Sequence, residues 1–177
     1  MTTPISRRQF LRARLSTKHS PIRPPWSIKE DDFLERCTRC GDCIAACTEE
    51  IIRTDSGYPV IDFSQSGCSF CGDCASACKT GAIQQPQAPA WSYVVNIDSA
   101  RCLAQQGIVC QVCAEQCDSA AISNSLTAAA VPTPLLDETQ CTACGYCIAT
   151  CPGHAISINT HYSQHHDHKE ALCMSQA

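Results

Sequence analysis

The residues of this chain most able to do chemistry are its cysteines, which number 17 among 177 residues. Sixteen of them fall into four groups of four, and three groups share the spacing Cys-x2-Cys-x2-Cys-x3-Cys. The third group widens its first gap to seven residues and keeps the rest. The groups are Cys37, Cys40, Cys43 and Cys47; Cys68, Cys71, Cys74 and Cys78; Cys102, Cys110, Cys113 and Cys117; and Cys141, Cys144, Cys147 and Cys151. Cys173 has no matching companions and is expected to be a free thiol.

Thiolates at this spacing are typical ligands of cubane [4Fe-4S] clusters. Three cysteines separated by two residues can reach three irons, and in two-cluster ferredoxins the fourth cysteine of each run ligates the other run's cluster. The same rule predicts crossed ligation here, giving four clusters. The expected ligands are Cys37, Cys40, Cys43 and Cys78 (first site); Cys68, Cys71, Cys74 and Cys47 (second site); Cys102, Cys110, Cys113 and Cys151 (third site); and Cys141, Cys144, Cys147 and Cys117 (fourth site). The wider gap leaves open that the third group holds an altered cluster or none.

Two other uses of cysteine compete with this interpretation. Structural zinc sites usually combine two separated Cys-x2-Cys knuckles or mix cysteine with histidine, unlike these runs. A disulfide framework belongs to an oxidising compartment and pairs its cysteines, whereas 17 is an odd number. Cluster ligation therefore explains the repeat best.

The repeat extends beyond the cysteines into the elements that must position them. An isoleucine follows each fourth cysteine by five residues, and β-prone runs precede the later groups. Small residues between the third and fourth cysteines favour a short helical turn, so each unit is predicted as strand, cysteine loop, short helix and strand. The isoleucines are Ile52, Ile83, Ile122 and Ile156, and the runs cover residues 60–63, 94–97 and 135–136.

Stretches rich in proline and polar residues predict the boundaries between domains. A Pro- and Gln-rich stretch around residues 84–89 separates the second and third groups. We expect an α+β chain of tandem bacterial-ferredoxin-like folds, each holding two [4Fe-4S] clusters, with little regular secondary structure. The predicted segments are a basic N-terminal arm (1–27), a first pair of cluster motifs (28–88), a second pair (89–160) and a His-rich flexible tail (161–177). Trp26 and Trp91 flank the first pair and are expected to pack against its outer face.

Composition narrows the class of protein further. The hydrophobic fraction of 44% includes the cysteines, so ordinary apolar side chains are scarce and metal must supply part of the cohesion. No apolar stretch is long enough to span a bilayer, so no membrane insertion is expected. After residue 23, seven Lys and Arg face 17 acids, a net charge of −10, which disfavours nucleic acid as a partner. No Ser-His-Asp set, carboxylate pair or phosphate-binding glycine loop stands out, so no enzyme is predicted.

The two ends of the chain differ in character from the rest. Ser6-Arg7-Arg8 begins a twin-arginine-like motif, but basic and polar residues follow where an export signal needs an apolar region. We therefore expect an uncleaved arm and a cytoplasmic protein, with the arm either a solvated tail or a short basic amphipathic helix. The His-rich tail is expected to be a polar terminus, with transient metal binding as the alternative.

Several motifs resemble those of the NapF family, the ferredoxin-type proteins of bacterial periplasmic nitrate reductase systems. The most discriminating are the segment Arg23-Pro24-Pro25-Trp26-Ser27 and the seven-residue gap after Cys102. The resemblance covers nearly the whole chain. The other matching motifs are Ser6-Arg7-Arg8, Cys37-Thr38-Arg39-Cys40, Gly57-Tyr58-Pro59 and Cys68-Ser69-Phe70-Cys71.

The resemblance implies a cytoplasmic assembly factor for iron-sulfur clusters. Such a protein binds the precursor of the molybdenum-containing catalytic subunit of periplasmic nitrate reductase and assists loading of that subunit's own [4Fe-4S] cluster before export. The alternative is a ferredoxin-type electron-transfer protein that relays single electrons to a redox partner. Both functions use the same cofactor, so the partner distinguishes them.

Overall fold

The computed structural model describes residues 21–85, 90–125 and 131–160, and within them short helices are mixed with short strands. In chain order these are α1 (Glu30–Arg36), α2 (Asp42–Ala45), β1 (Ile52–Asp55), β2 (Tyr58–Ile61), α3 (Asp73–Ala77), β3 (Tyr93–Ile97), α4 (Val112–Glu115), β4 (Ile122–Ser125), β5 (Thr133–Leu136), α5 (Tyr146–Thr150) and β6 (Ile156–Thr160). This mixture agrees with the predicted α+β class. The twin-arginine-like motif, the His-rich tail and Cys173 lie outside the described residues.

The strands pair two by two, and each pair is antiparallel. β1 and β2 form a hairpin whose two-residue turn, Ser56 and Gly57, has φ angles of 51° and 86°. Left-handed angles at both positions are what a tight hairpin requires. β4 pairs with β5, and β3 pairs with β6. Because β3 precedes the third cysteine group and β6 follows the fourth, this last pairing joins the two ends of the second half.

Three of the four predicted isoleucine positions begin strands, namely the first residues of β1, β4 and β6. Ile83 instead forms only an isolated bridge with Ser27. The backbone N–H of Ile28 donates to the carbonyl of Ala82 at 3.1 Å, and that of Gln84 donates to the carbonyl of Trp26 at 3.0 Å. The segment before α1 therefore takes the place of a strand partner beside Ile83.

Residues 22–28 belong to the packed body, so the arm predicted over residues 1–27 needs correction at its end. Pro24 and Pro25 are fully buried. The carbonyl of Ile22 accepts a hydrogen bond of 2.8 Å from the N–H of Ile61 in β2. Burial of this segment makes it part of the folded body.

Arg23 anchors this segment from within, with a relative exposure of 8%. Its guanidinium binds both carboxylate oxygens of Glu30, at 2.9 and 2.6 Å, and donates to the Pro59 carbonyl at 2.9 Å. It also lies over the rings of Phe33 and Tyr58, at 4.9 and 5.5 Å from their centroids. Because Arg23 is the last of several basic residues near the N-terminus, the sequence suggested an exposed side chain and did not predict its burial.

The apolar core is small and divided. In the first half, Phe33, Ile51 and Ile52 are almost fully buried. In the second half, Val95 and Ile156 belong to a smaller cluster of buried side chains, and partly buried cysteines pack against both clusters. Among the described residues, no helix is long and apolar enough to cross a membrane.

Candidate metal centres

All four cysteine groups share one local construction. The third cysteine lies inside a short helix (α2, α3, α4 or α5), and the fourth lies one or two residues beyond the helix end. In three groups a glycine precedes the helix with φ between 83° and 89°. This left-handed turn, which glycine adopts without strain, curls the chain around the cysteines. Gln111 takes that place in the third group with φ of −131°, so the wider gap alters the entry to α4.

A second left-handed residue lies just before the second cysteine in the same three groups. Arg39, Phe70 and Ala143 have φ angles of 59°, 54° and 56°. A non-glycine residue in this region costs about 1–2 kcal/mol, so the surrounding structure must impose it. Residue type gave no sign of this conformation, and only the shared position in the repeat could have indicated it.

The first site draws its cysteines from two groups. Cys37, Cys40, Cys43 and, from the second group, Cys78 line one cavity. Cys43 is buried and Cys40 is exposed, so the site reaches the protein surface. The Sγ of Cys78 accepts a hydrogen bond of 3.3 Å from the N–H of Ile83. Burial raises the pKa of Cys78, but this bond and others nearby lower it overall, which favours binding as a thiolate.

The second site is crossed in the reciprocal way. Cys68, Cys71, Cys74 and, from the first group, Cys47 line a separate cavity. Cys74 is buried and Cys71 is exposed. The N–H of Phe70 donates to the Sγ of Cys68 at 3.4 Å. The first half therefore has two cysteine sets of matching construction.

The third site repeats the arrangement in the second half. Cys102, Cys110, Cys113 and, from the fourth group, Cys151 line a cavity. The N–H of Ala155 donates to the Sγ of Cys151 at 3.4 Å, the counterpart of the bond from Ile83 to Cys78. The widened third group thus reaches the same kind of set as the others.

The seven-residue stretch between Cys102 and Cys110 explains how the third group does so. The N–H of Gln106 donates to the carbonyl of Cys102 at 3.1 Å, and that of Ile108 donates to the carbonyl of Leu103 at 2.9 Å. This stretch is closed on itself by these bonds, and Cys110 still lines the cavity with Cys102. The wider gap therefore adds a compact loop without displacing the cysteine.

For the fourth site, the crossed scheme assigns Cys141, Cys144, Cys147 and, from the third group, Cys117. Burial raises the pKa of Cys147 to about 12, and the charges of Cys144, Cys141, Cys113 and Cys117 act in the same direction, which places Cys147 near cysteines of both the third and the fourth group. The hydroxyl of Ser119 lies 3.5 Å from the Sγ of Cys117. In the first three sites, three cysteines of one group and one of the neighbouring group line a common cavity.

Deprotonation of the inner thiols is costly in the absence of metal. Burial, with a contribution from neighbouring thiolates, raises the pKa of Cys43 and Cys68 to about 11 and that of Cys74 to about 12. A bound iron must displace these protons, so cluster assembly releases protons.

The donor chemistry of these sites fits cubane clusters. Three sites place four cysteines around a common space and direct a backbone N–H at one sulfur. Bonds of this kind stabilise thiolates and tune the potential of iron-sulfur clusters. Among the described residues, no three His, Cys, Asp or Glu side chains lie close enough together to hold a single metal ion.

Comparison with known families agrees with this chemistry. Residues 36–83 match the model of a 4Fe-4S dicluster domain, and residues 134–157 match the model of a 4Fe-4S binding domain. The first match contains the first two cysteine groups, and the second contains the fourth group. The third group lies between the two matched ranges.

Similarity to individual proteins covers most of the chain. The ferredoxin-type protein NapF of Haemophilus influenzae is 40% identical over 88% of this chain and 94% of its own length. NapF of Escherichia coli K12 is 39% identical over 89% of this chain and 96% of its own length. The methylamine utilization ferredoxin-type protein MauM of Methylobacillus flagellatus is 30% identical over 80% and 68%, respectively. The chain therefore belongs to the NapF family of ferredoxin-type proteins and is an iron-sulfur protein that binds [4Fe-4S] clusters.

Proposed function

We propose that each of the four cysteine sets binds one [4Fe-4S] cluster, with ligation crossed within each half. Residues 28–88 and 89–160 then correspond to two tandem ferredoxin-like halves, the first extended by residues 22–27. Bound cubanes supply one-electron redox chemistry. The chain's own residues hold the irons, bury the inner sulfurs and direct N–H groups at Cys68, Cys78 and Cys151.

The number of clusters is tested by iron and acid-labile sulfide analysis after anaerobic purification. Four cubanes give about 16 iron atoms per chain, and loss of the third site alone gives about 12. Since Cys110 lines a cavity with three other cysteines, we expect the higher value. A content near 12 would contradict a full cubane in the third site.

The function that these sites support best is cluster maturation. The chain binds the cytoplasmic precursor of the molybdenum-containing catalytic subunit of periplasmic nitrate reductase and assists loading of its [4Fe-4S] cluster before export. The supporting observation is similarity to NapF proteins over nearly the full length of both chains. Exposure of Cys40 and Cys71 brings the first and second sites to the surface, where a partner can approach.

Under this proposal the twin-arginine-like arm stays attached in the cytoplasm and contributes to the partner-binding surface. Its basic charge complements an acidic partner. The test is deletion of residues 1–20, which spares the Arg23 anchor. We expect co-purification with the unexported catalytic precursor to be lost while the iron content is unchanged. Retained co-purification would exclude the arm from the binding surface.

Electron transfer is the second candidate function. It is favoured by the contact between the loop that carries the second site and the loop that carries the fourth, because electrons pass most readily between neighbouring clusters. A strain lacking this protein separates the two functions. Maturation predicts an exported catalytic subunit that lacks its cluster. Electron transfer predicts a fully loaded subunit that turns over poorly, so metal analysis of the exported subunit decides between them.

A further inference from the structure

The two halves of the chain meet through the second and fourth cysteine groups. The backbone N–H of Cys68 donates to the carbonyl of Cys144 at 2.7 Å. Beside this bond, Gly67 packs so tightly on Tyr146 that an added Cβ would lie 2.6 Å from the Tyr146 backbone nitrogen. A cysteine of one half is thus joined to a cysteine of the other by a main-chain hydrogen bond.

Trp91 fills the space beside this contact, which we call the junction. Its Nε1–H donates to the carbonyl of Thr142 at 3.0 Å, and its ring lies edge-on to Phe63 and Phe70 at centroid distances of 6.1 and 5.3 Å. Phe70 lies between two cysteines of the second site, and Thr142 lies between two of the fourth. Trp91 therefore packs against the first pair, as its position in the sequence suggested, and also contacts a loop of the second half, which the sequence did not indicate.

Contacts within each half complete the arrangement. α2 packs against α3, which places the first site beside the second, and α4 packs against α5, which places the third site beside the fourth. Resting on the proposed ligation, we infer that the four sites run in the spatial order first, second, fourth, third. The second and fourth sites, called the inner pair, face each other across the junction, and the first and third sites, called the outer pair, lie at opposite ends.

Two matched variants of the full chain test this order by retaining one site in each half. The inner-pair variant carries Cys37→Ser, Cys40→Ser, Cys102→Ser and Cys110→Ser. The outer-pair variant carries Cys68→Ser, Cys71→Ser, Cys141→Ser and Cys144→Ser. Each is reduced anaerobically with dithionite, which supplies one electron per cluster, and examined by electron paramagnetic resonance.

We expect the reduced inner-pair variant to show a spectrum split and broadened by spin-spin interaction. The outer-pair variant should show the sum of two isolated signals. Both should contain about eight iron atoms per chain. If both variants contain about eight iron atoms, an unsplit spectrum from the inner-pair variant, or a split spectrum from the outer-pair variant, would overturn the spatial order but leave the ligand assignment intact. An iron content well below about eight in a variant that keeps the far-ultraviolet circular dichroism of the unaltered chain would overturn the ligand assignment and the order with it.

A wedge at the junction provides a second test that leaves every ligand in place. Gly67→Ala forces the added methyl against Tyr146, whereas Gly81→Ala strains a backbone with φ of 70° but adds the methyl where nothing lies within 4 Å, so it controls for a destabilising change away from the junction. Introduced separately into the otherwise unaltered chain, Gly67→Ala should narrow the reduced spectrum at unchanged iron content, and Gly81→Ala should not. An unchanged spectrum in Gly67→Ala would exclude the junction as the element that couples the halves.

Discussion

At the scale of single residues, Arg23 shows how a charged side chain can serve as core. Burying a guanidinium is costly unless its charge and its donors are matched. Glu30 supplies a carboxylate at 2.6 and 2.9 Å, Pro59 supplies a carbonyl, and two aromatic rings cover the faces. The arrangement fixes residues 22–28 beside α1 and β2.

We expect Arg23→Ala to lower the free energy of unfolding by about 2 kcal/mol, the scale of hydrogen bonds to a charged group. The value is held below that of a fully buried pair because the Glu30 side chain is 44% exposed. The measurement is anaerobic urea unfolding followed by circular dichroism and visible cluster absorbance. Arg53→Ala is the matched control, since Arg53 is exposed on β1 and should change the midpoint little. Equal midpoints for the two variants would contradict the anchoring role.

The cysteine sets could be predicted from the sequence because their spacing is local, whereas the buried role of Arg23 could not, because it depends on distant residues. Thiolate spacing is a local property, because three ligands of a site lie within one short loop. The burial of Arg23 depends on Glu30, Phe33 and Pro59, which come together only in the fold. A run of basic residues ahead of an acidic body gave no sign that its last member turns inward.

At the scale of elements, the proposed crossed ligation makes each short helix depend on the other cysteine group of its half. Cys37 and Cys78 belong to different groups but line one cavity, whereas Cys47 lies with the second set. A pair of double variants tests this. Cys37→Ser with Cys78→Ser removes ligands of one site and should lower iron from about 16 to about 12 atoms. Cys37→Ser with Cys47→Ser affects two sites and should lower it to about eight.

These two double variants change the same number of cysteines in the same half, so each controls for the other. If ligation followed sequence groups, the result would reverse: Cys37 and Cys47 would share a cluster, and Cys37 and Cys78 would not. Equal iron contents in the two variants would contradict both schemes.

The glycines that begin the short helices give another prediction at this scale. Gly41 and Gly145 have φ angles of 83° and 89°, so alanine at either position is strained. A Cβ on Gly41 would meet nothing within 4 Å, while one on Gly145 would overlap the ring of Phe63. We expect Gly41→Ala to cost about 1 kcal/mol and Gly145→Ala about 3 kcal/mol, because Phe63 must also move. Anaerobic urea midpoints that fall equally would show that Phe63 yields freely.

The elements were predictable where the cysteine repeat imposed them and less so elsewhere. The helices around each third cysteine and the strands beginning at three isoleucines follow directly from the repeat. The β3–β6 pairing joins residues about sixty positions apart in the chain, and no local pattern indicates such a partner. Ile83 fits the repeat but does not begin a strand, because the segment before α1 pairs with it through an isolated bridge at Ser27.

At the scale of the whole molecule, the tandem plan followed from the repeat, but the meeting of the halves did not. Contacts such as Trp91 with Thr142, and Gly67 with Tyr146, involve residues whose types are unremarkable for their loops. They join residues far apart in the chain, which no local pattern brings together. A sequence repeat predicts similar units and contains no information on how those units are placed together.

Removal of the clusters should unfold much of the molecule. The buried apolar clusters are small, and every proposed cluster ties two cysteine groups together, so ligation supplies cohesion that side-chain packing lacks. We expect an iron chelator to abolish most of the far-ultraviolet circular dichroism, and iron with sulfide to restore it. Anaerobic conditions and excess thiol are needed so that cysteine oxidation does not imitate metal loss. Unchanged circular dichroism after complete iron removal would show that the protein chain folds by side-chain packing alone and that the clusters bind to a preformed structure.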